Sequence, residues 1–254
     1  FKNHHKLVIF FYICIMRVVC ISDTHGKHKY MTHPIPDGDV LIHAGDCSNV
    51  GYETEVKDFI EWFKTYKNFK YRIFIAGNHD FAFEEKNEDF LNYIKNELKE
   101  NNIIYLEDEI LYLNFEEFSR PLKVYGSPWQ PRFNNWAFNI DRYANELKEK
   151  WDQIPINTDI LITHTPPYNI RDFISNYSKI ESVGCHFLKE KVELVEPLLH
   201  VFGHIHNAYG PTLIKNTMYV NASICNERYQ PTNKPLVFDI TEKNKIFEIE
   251  YKNE

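Results

Sequence analysis

Glycine is scarce, with 9 among 254 residues, and no low-complexity tract or internal repeat occurs, so collagen-like and linker-rich chains are excluded. Cysteine is sparse too. Cys14, Cys20, Cys47, Cys185 and Cys225 are scattered without a CxxC pair. An odd, dispersed set reads as free thiols in a reducing compartment, not as a disulfide framework or zinc knuckle. No Lys/Arg block appears, and 29 Lys plus Arg face 36 Asp plus Glu, a net charge of −7. A long polyanion such as duplex nucleic acid would meet net repulsion; a small phosphorylated ligand held by metal stays open. No apolar run reaches the roughly 20 residues of a membrane-spanning helix. What is present is ordinary for a globular protein: 43% hydrophobic and 26% charged residues. Against roughly 150 residues per domain, the length allows one large domain or two small ones, and the lack of a linker favours one.

The first residue is Phe1, and the apolar run Leu7–Met16 follows basic and His residues. A secretory h-region has this look, but no small-x-small cleavage site follows. The run flows through Arg17 into Val18-Val19-Cys20-Ile21. Residues 1–15 therefore read as an upstream extension, with a targeting segment as the alternative, and 16–254 as one cytoplasmic domain.

Short apolar runs end repeatedly at polar motifs. Val18–Ile21 stops at Ser22-Asp23-Thr24-His25, Val40–Ile42 at His43-Ala44-Gly45-Asp46, and Arg72–Ala76 at Gly77-Asn78-His79-Asp80. Ile160–Ile162 stops at Thr163-His164, and His200–Phe202 at Gly203-His204-Ile205-His206. Such runs read as buried strands. Between them, Val56, Phe59, Ile60 and Phe63 have helical spacing, with Thr54 as N-cap. Leu91, Ile94 and Leu98 predict a second helix, Ala144, Leu147 and Trp151 a third, and Leu188, Val192 and Val195 a fourth stopped by Pro197. Further strand-like runs at 110–113, 122–126, 211–214, 217–220, 235–240 and 246–251 complete an α/β fold of two packed mixed β-sheets flanked by helices. In open α/β sheets ligands gather at the carboxyl ends of strands, where every polar motif here sits.

The motifs carry metal-ligand side chains. Asp23 and His25, two residues apart in an extended segment, point the same way, and so do His204 and His206. Asp46 follows a glycine at a strand end, where a carboxylate can bridge two cations. Asn78 offers a carbonyl oxygen and His164 an imidazole. Mixed imidazole and carboxylate donors suit Mn, Fe or Zn better than Ca or Mg. Taken singly, each residue is as well read as a turn former or a core histidine, as His43 is; the joint pattern is what points to a metal site.

The order Asp-x-His, Gly-Asp, Gly-Asn-His-Asp, His, Gly-His-x-His resembles the calcineurin-like metallophosphoesterase superfamily over most of the chain after Met16. The resemblance implies a four-layer αββα sandwich holding two divalent metal ions, Mn first, with Fe, Zn or Mg as further choices. Asp23, His25 and His206 would bind one ion and Asn78, His164 and His204 the other, with Asp46 bridging; His79 would be the acid or charge stabiliser beside the leaving group. Gly126-Ser127-Pro128-Trp129-Gln130-Pro131, Trp136-Ala137-Phe138-Asn139 and Asn221-Ala222-Ser223 look most like the metallophosphoesterase-domain-containing (fetal-brain 239-type) proteins. Asp80 stands where those relatives more often have Glu, and Asn207-Ala208 where they have Glu-Gly. Asn49-Val50-Gly51 lacks the arginine of the serine/threonine phosphatases and the tyrosine ligand of the purple acid phosphatases.

The function this implies is hydrolysis of a small phosphodiester or nucleotide, cyclic nucleotides foremost, by a hydroxide held between the metals. Trp129, Phe133, Trp136 and Phe138 read either as a base-stacking wall or as core packing. Two other functions stay open: a small-molecule phosphomonoesterase, and a catalytically weak scaffold of this fold that binds a protein partner. No membrane partner is expected.

Overall fold

The computed structural model describes residues 15–85, 87–176, 179–241 and 245–249; Cys14 and nearly all of the segment read as an upstream extension lie outside them. Strands are numbered along the chain. β1 (Ile15–Ile21), β2 (Val40–Ala44), β3 (Tyr71–Ile75) and β4 (Ile103–Tyr105) run parallel in the first sheet. β15 (Leu236–Thr241) and β16 (Ile246–Ile249) extend it antiparallel, in the order β16-β15-β1-β2-β3-β4. β1 opens one residue before Met16, because Ile15 pairs with Thr241.

The second sheet repeats this plan. β6 (Leu122–Ser127), β9 (Ile160–Thr163), β12 (Leu199–Phe202) and β14 (Thr217–Asn221) are parallel. Antiparallel edges β5 (Glu109–Leu113) and β13 (Gly210–Ile214) give the order β13-β14-β12-β9-β6-β5. Two small pairs stand apart, β7 (Gln130–Pro131) with β8 (Asn139–Ile140), and β10 (Phe173–Asn176) with β11 (Lys179–Ser182).

Parallel strands covered on both faces need apolar residues at every position, and side-chain alternation sorts them into layers. Met16, Val18, Cys20, Ile42 and Ile73 face Val124, Ile160, Ile162, Val201 and Val220 between the sheets. On the outer face of the first sheet, Val19, Ile21, Leu41 and Phe74 pack against α1 (Glu53–Phe63) and α3 (Glu88–Glu100). Outside the second, Tyr125, Leu161, Phe202 and Tyr219 pack against α4 (Asn145–Asp152) and α5 (His186–Val195). The result is the expected four-layer sandwich.

The helices follow their predicted apolar spacing, with one correction. Thr54 lies inside α1, and its N-cap is Tyr52. The Glu55 carboxylate accepts the backbone N–H groups of Tyr52 and Val50, each at 3.1 Å; a charged acceptor on the first turn satisfies those donors better than a hydroxyl one residue within. α5 ends at Glu196 in the left-handed region, as the residue before Pro197 is steered away from helix. β4 and the single-turn helix α2 (Phe81–Glu84) are too short to show a periodicity, and the β10–β11 hairpin alternates no buried face among the described residues, so the sequence does not announce them. Cys20, Cys47, Cys185 and Cys225 are free and buried. Among the described residues no helix is long and apolar enough to cross a membrane.

Candidate metal centre

The carboxyl ends of β1, β2, β3, β9 and β12 deliver all five polar motifs to one place. The two sheets are joined there by main chain: Ser22 N–H donates to Ala222 O and Ile224 N–H to Ser22 O, both at 2.9 Å. The loops then turn sharply. Asp23, His25, Asp46 and His204 all have φ between 45° and 67°, a left-handed conformation that costs non-glycine residues energy and clusters at functional sites. Close approach also explains two glycines: a Cβ on Gly77 would fall on the Asp46 carboxylate, and one on Gly203 on that of Asp23.

Seven side chains predicted as ligands converge in two groups that share an edge. Asp23, His25 and His206 form the first. His206 Nε2 lies 3.4 Å from Asp23 Oδ1 and 3.1 Å from His25 Nε2. Asp46, His164 and His204 form the second. His164 Nε2 is 3.3 Å from Asp46 Oδ2 and 2.9 Å from Asn78 Oδ1, and His204 Nδ1 is 2.7 Å from the same Asn78 oxygen. Asp46 Oδ2 also lies 3.8 Å from His25 Nε2, so this one carboxylate reaches both groups. A third group joins His79 to His25 and Asp46.

Orientation of the rings shows that these atoms fit a cation. His164 Nδ1–H donates to Ala44 O at 3.0 Å and His206 Nδ1–H to Asn226 O at 3.0 Å. Each ring therefore turns an Nε2 lone pair toward carboxylate and carbonyl oxygens, acceptor against acceptor. Only protons or metal ions between them make that arrangement favourable. Where protons serve, burial lowers His164, but the Asp46 carboxylate outweighs it and raises the imidazole to about 9. His206 is likewise depressed by burial yet raised overall by its hydrogen bond to Asp23. Burial alone would raise Asp23 and Asp46; the imidazoles beside them, His206 and His164, hold both below the usual carboxylate range. Burial drives His25 down to about 4, and burial with the charge of His164 drives His204 to about 3. A divalent ion requires neutral imidazoles and ionised carboxylates: His25, His204 and both carboxylates already have that form, and a bound ion would take the place of the protons on His164 and His206.

The cluster forms the floor of a cavity of about 440 Å³. Asp46, Asn78, His79, His204 and His206 line it together with Phe133, Trp136, Tyr229, Arg132 and Arg142. The four aromatics read from sequence divide evenly. Phe138 is buried and Trp129 packs on it at 5.5 Å, so those two are core. Phe133 is exposed and stands edge-on to His204 at 6.4 Å, and Trp136 stacks on His79 at 4.0 Å. Tyr229, which nothing in the sequence singled out, meets the rings of His25 and His206 edge-on at 4.8 Å and 5.0 Å. Arg132 and Arg142 were also missed, because isolated arginines in a loop carry no motif.

Residues 16–208 match the calcineurin-like phosphoesterase family model. The chain belongs to the calcineurin-like phosphoesterase family. The metallophosphoesterase domain-containing protein 1 of Homo sapiens, and that of Mus musculus, are each 44% identical to it over 244 residues, 88% of this chain and 71% of theirs. Among solved structures, a phosphopantetheinyl hydrolase from Mycobacterium tuberculosis superposes with a TM-score of 0.54 at 15% identity, covering 91% of this chain and 95% of that one; this likeness speaks to the fold alone.

As a calcineurin-like phosphoesterase the chain is a phosphoester hydrolase with side chains clustered to hold metal, and positions 80 and 49, singled out in the sequence, lie around that cluster. Asp80 is buried and accepts Gly77 N–H at 2.8 Å, Ser48 N–H at 2.9 Å and Ser48 Oγ–H at 2.6 Å. It thereby ties the Asn78 loop to the Asp46 loop. Position 49 contributes main chain only: Asn49 O accepts His79 Nδ1–H at 2.5 Å, which leaves His79 Nε2 for the cavity. His43 is buried on β2 with its Nε2 3.0 Å from Thr24 Oγ1, supporting the Asp23–His25 turn as a core histidine.

Proposed function

We propose that this protein is a two-metal phosphodiesterase acting on small phosphodiesters, with cyclic nucleotides as the leading substrate class. The observation that carries the reading is Asp46 Oδ2, which lies within 3.3 Å of His164 Nε2 and 3.8 Å of His25 Nε2 and so belongs to both ligand groups. Asp23, His25 and His206 would hold one divalent ion and Asn78, His164 and His204 the other, with Mn the first choice. When bound, such a pair supplies charge to neutralise phosphate oxygens and lowers the pKa of water toward neutrality.

The chain's own residues do the rest. Asp46 Oδ1 accepts His79 N–H at 2.8 Å, fixing the acid against the bridging carboxylate. His79 holds its Nδ1 proton on Asn49 O and presents Nε2 to the cavity, where it can donate a proton to the departing alkoxide. General-acid help of this kind contributes typically 10²–10⁴-fold, most for an unactivated diester. Trp136, Phe133 and Tyr229 supply apolar walls on which a nucleobase can stack.

The test is to strip the protein of metal, reload it with Mn²⁺, and compare bis(p-nitrophenyl) phosphate with p-nitrophenyl phosphate. Mn²⁺-dependent diester turnover that collapses in Asp46→Asn is the expected result. A preference for the monoester would replace this reading with a phosphatase. No turnover with both ions bound would leave the scaffold reading.

A further inference from the structure

Arg142 is the cavity's best-held cation. Its Nη1 donates to Gly184 O at 2.6 Å and its Nη2 to Val183 O at 2.8 Å. No carboxylate pairs with it among the described residues. Two carbonyls fix the guanidinium in place while leaving its full charge uncompensated, in a chain whose net charge is −7. The loop it grips adjoins the metal cluster: Cys185 N–H donates to Pro166 O at 2.9 Å, two residues beyond His164.

Arg132 lines the same cavity. Among the described residues its ion pair is through Nε to Asp141 Oδ1 at 2.6 Å, with both side chains more than half exposed. An exposed pair of this kind contributes little, and its two Nη groups stay available for a ligand. Phe133, the next residue, reaches His204, so Arg132 lies close to the cluster without belonging to it. A fixed guanidinium and a second, weakly committed one lining the same cavity supply the charge and the donors that a phosphate dianion takes.

We propose that Arg142, aided by Arg132, binds a second phosphate of the substrate, one not being cleaved. The substrate class is then a small phosphodiester that also bears a phosphomonoester, such as a 5′-phosphorylated nucleoside 2′,3′-cyclic phosphate. This rests on the diesterase reading above.

The experiment compares adenosine 2′,3′-cyclic phosphate with its 5′-phosphorylated form on the Mn²⁺-loaded protein, for wild type, Arg142→Gln and Arg132→Gln. The 5′-phosphate should raise kcat/KM on the order of tenfold through KM, Arg142→Gln should abolish that preference, and Arg132→Gln should reduce it. A ratio near one in wild type overturns the proposal, as does a ratio that Arg142→Gln leaves intact while both substrates slow together. In that second case Arg142 serves the scissile phosphate or the loop fold. Calorimetric binding of adenosine 3′,5′-bisphosphate against adenosine 3′-monophosphate decides the same point without turnover. If neither cyclic substrate is cleaved, the diesterase reading falls, and the binding ratio alone supports or sinks the second-phosphate site.

Discussion

The imidazole of His79 lies stacked on the indole of Trp136, with ring centroids 4.0 Å apart and planes at 28°. His25 meets the same ring edge-on at 4.6 Å. Two ring contacts and a hydrogen bond from Nδ1 thus hold the imidazole and leave Nε2 for the cavity.

If His79 is the acid, its removal should depend on the leaving group. His79→Ala is expected to slow a diester with an alkoxide leaving group by 10²–10⁴-fold, and a p-nitrophenyl ester far less. Trp136→Ala should reproduce a fraction of that pattern, and Trp136→Phe should restore it. Equal losses on both esters would show that neither residue handles the proton.

Asp46 tests the shared carboxylate. Asp46→Asn is expected to lower bound Mn²⁺ from two ions per chain and to weaken the one retained, because an amide oxygen lacks the charge that holds two cations. Metal analysis after gel filtration reads this directly. Two ions retained at wild-type affinity would remove Asp46 from the bridging position.

Asp80 carries the geometry of the loops. Asp80→Ala leaves the N–H groups of Gly77 and Ser48 and the Ser48 hydroxyl without their buried acceptor, at a cost on the order of 3 kcal/mol. Thermal unfolding should register it, together with weaker metal binding. Asp80→Glu inserts a methylene into the same packed site and should cost about 1–3 kcal/mol. An unchanged Tm in both variants would show that the loops are held some other way.

Acid should destabilise the fold through its buried neutral histidines. His200 is wholly buried, its Nε2 sits 2.8 Å from Thr163 Oγ1, and burial lowers it to about 3. The unfolded chain takes up a proton near pH 6.5 while the folded chain does not. Stability therefore falls as pH drops from about 6.5 toward 3, by ~1.4 kcal/mol per pH unit for each such histidine. Denaturant midpoints across that window, with His200→Leu beside wild type, should show the slope reduced by about one proton. Parallel slopes would exclude His200 as a contributor.

Much of this protein is legible in its sequence because the physics is local. Strands buried on both faces must be apolar throughout, so Val18–Ile21, Val40–Ile42 and Ile160–Ile162 stand out. Polar residues that interrupt such runs, in three cases directly after a glycine, mark strand ends, which names Asp23, Asp46, Asn78, His164 and His204 before any fold is known. The helix faces follow from their 3.6-residue spacing in the same way. Short or charged elements escaped: β4 spans three residues, and the β10–β11 hairpin has no core face to reveal it.

Tertiary structure decided whatever depends on which chain segments meet. That Trp136 stacks on His79 while Trp129 packs on Phe138 follows from how the 126–140 segment folds back in the β7–β8 pair, since both tryptophans look alike in sequence. Tyr229 comes to the cluster only because the main chain after β14 bonds to Ser22. Arg142 becomes a fixed cation, without a carboxylate partner among the described residues, because its guanidinium finds two carbonyls instead. The ligand types were therefore set by local pattern. The shape and charge of the cavity around them were set by contacts between residues dozens of positions apart, which composition and periodicity do not encode.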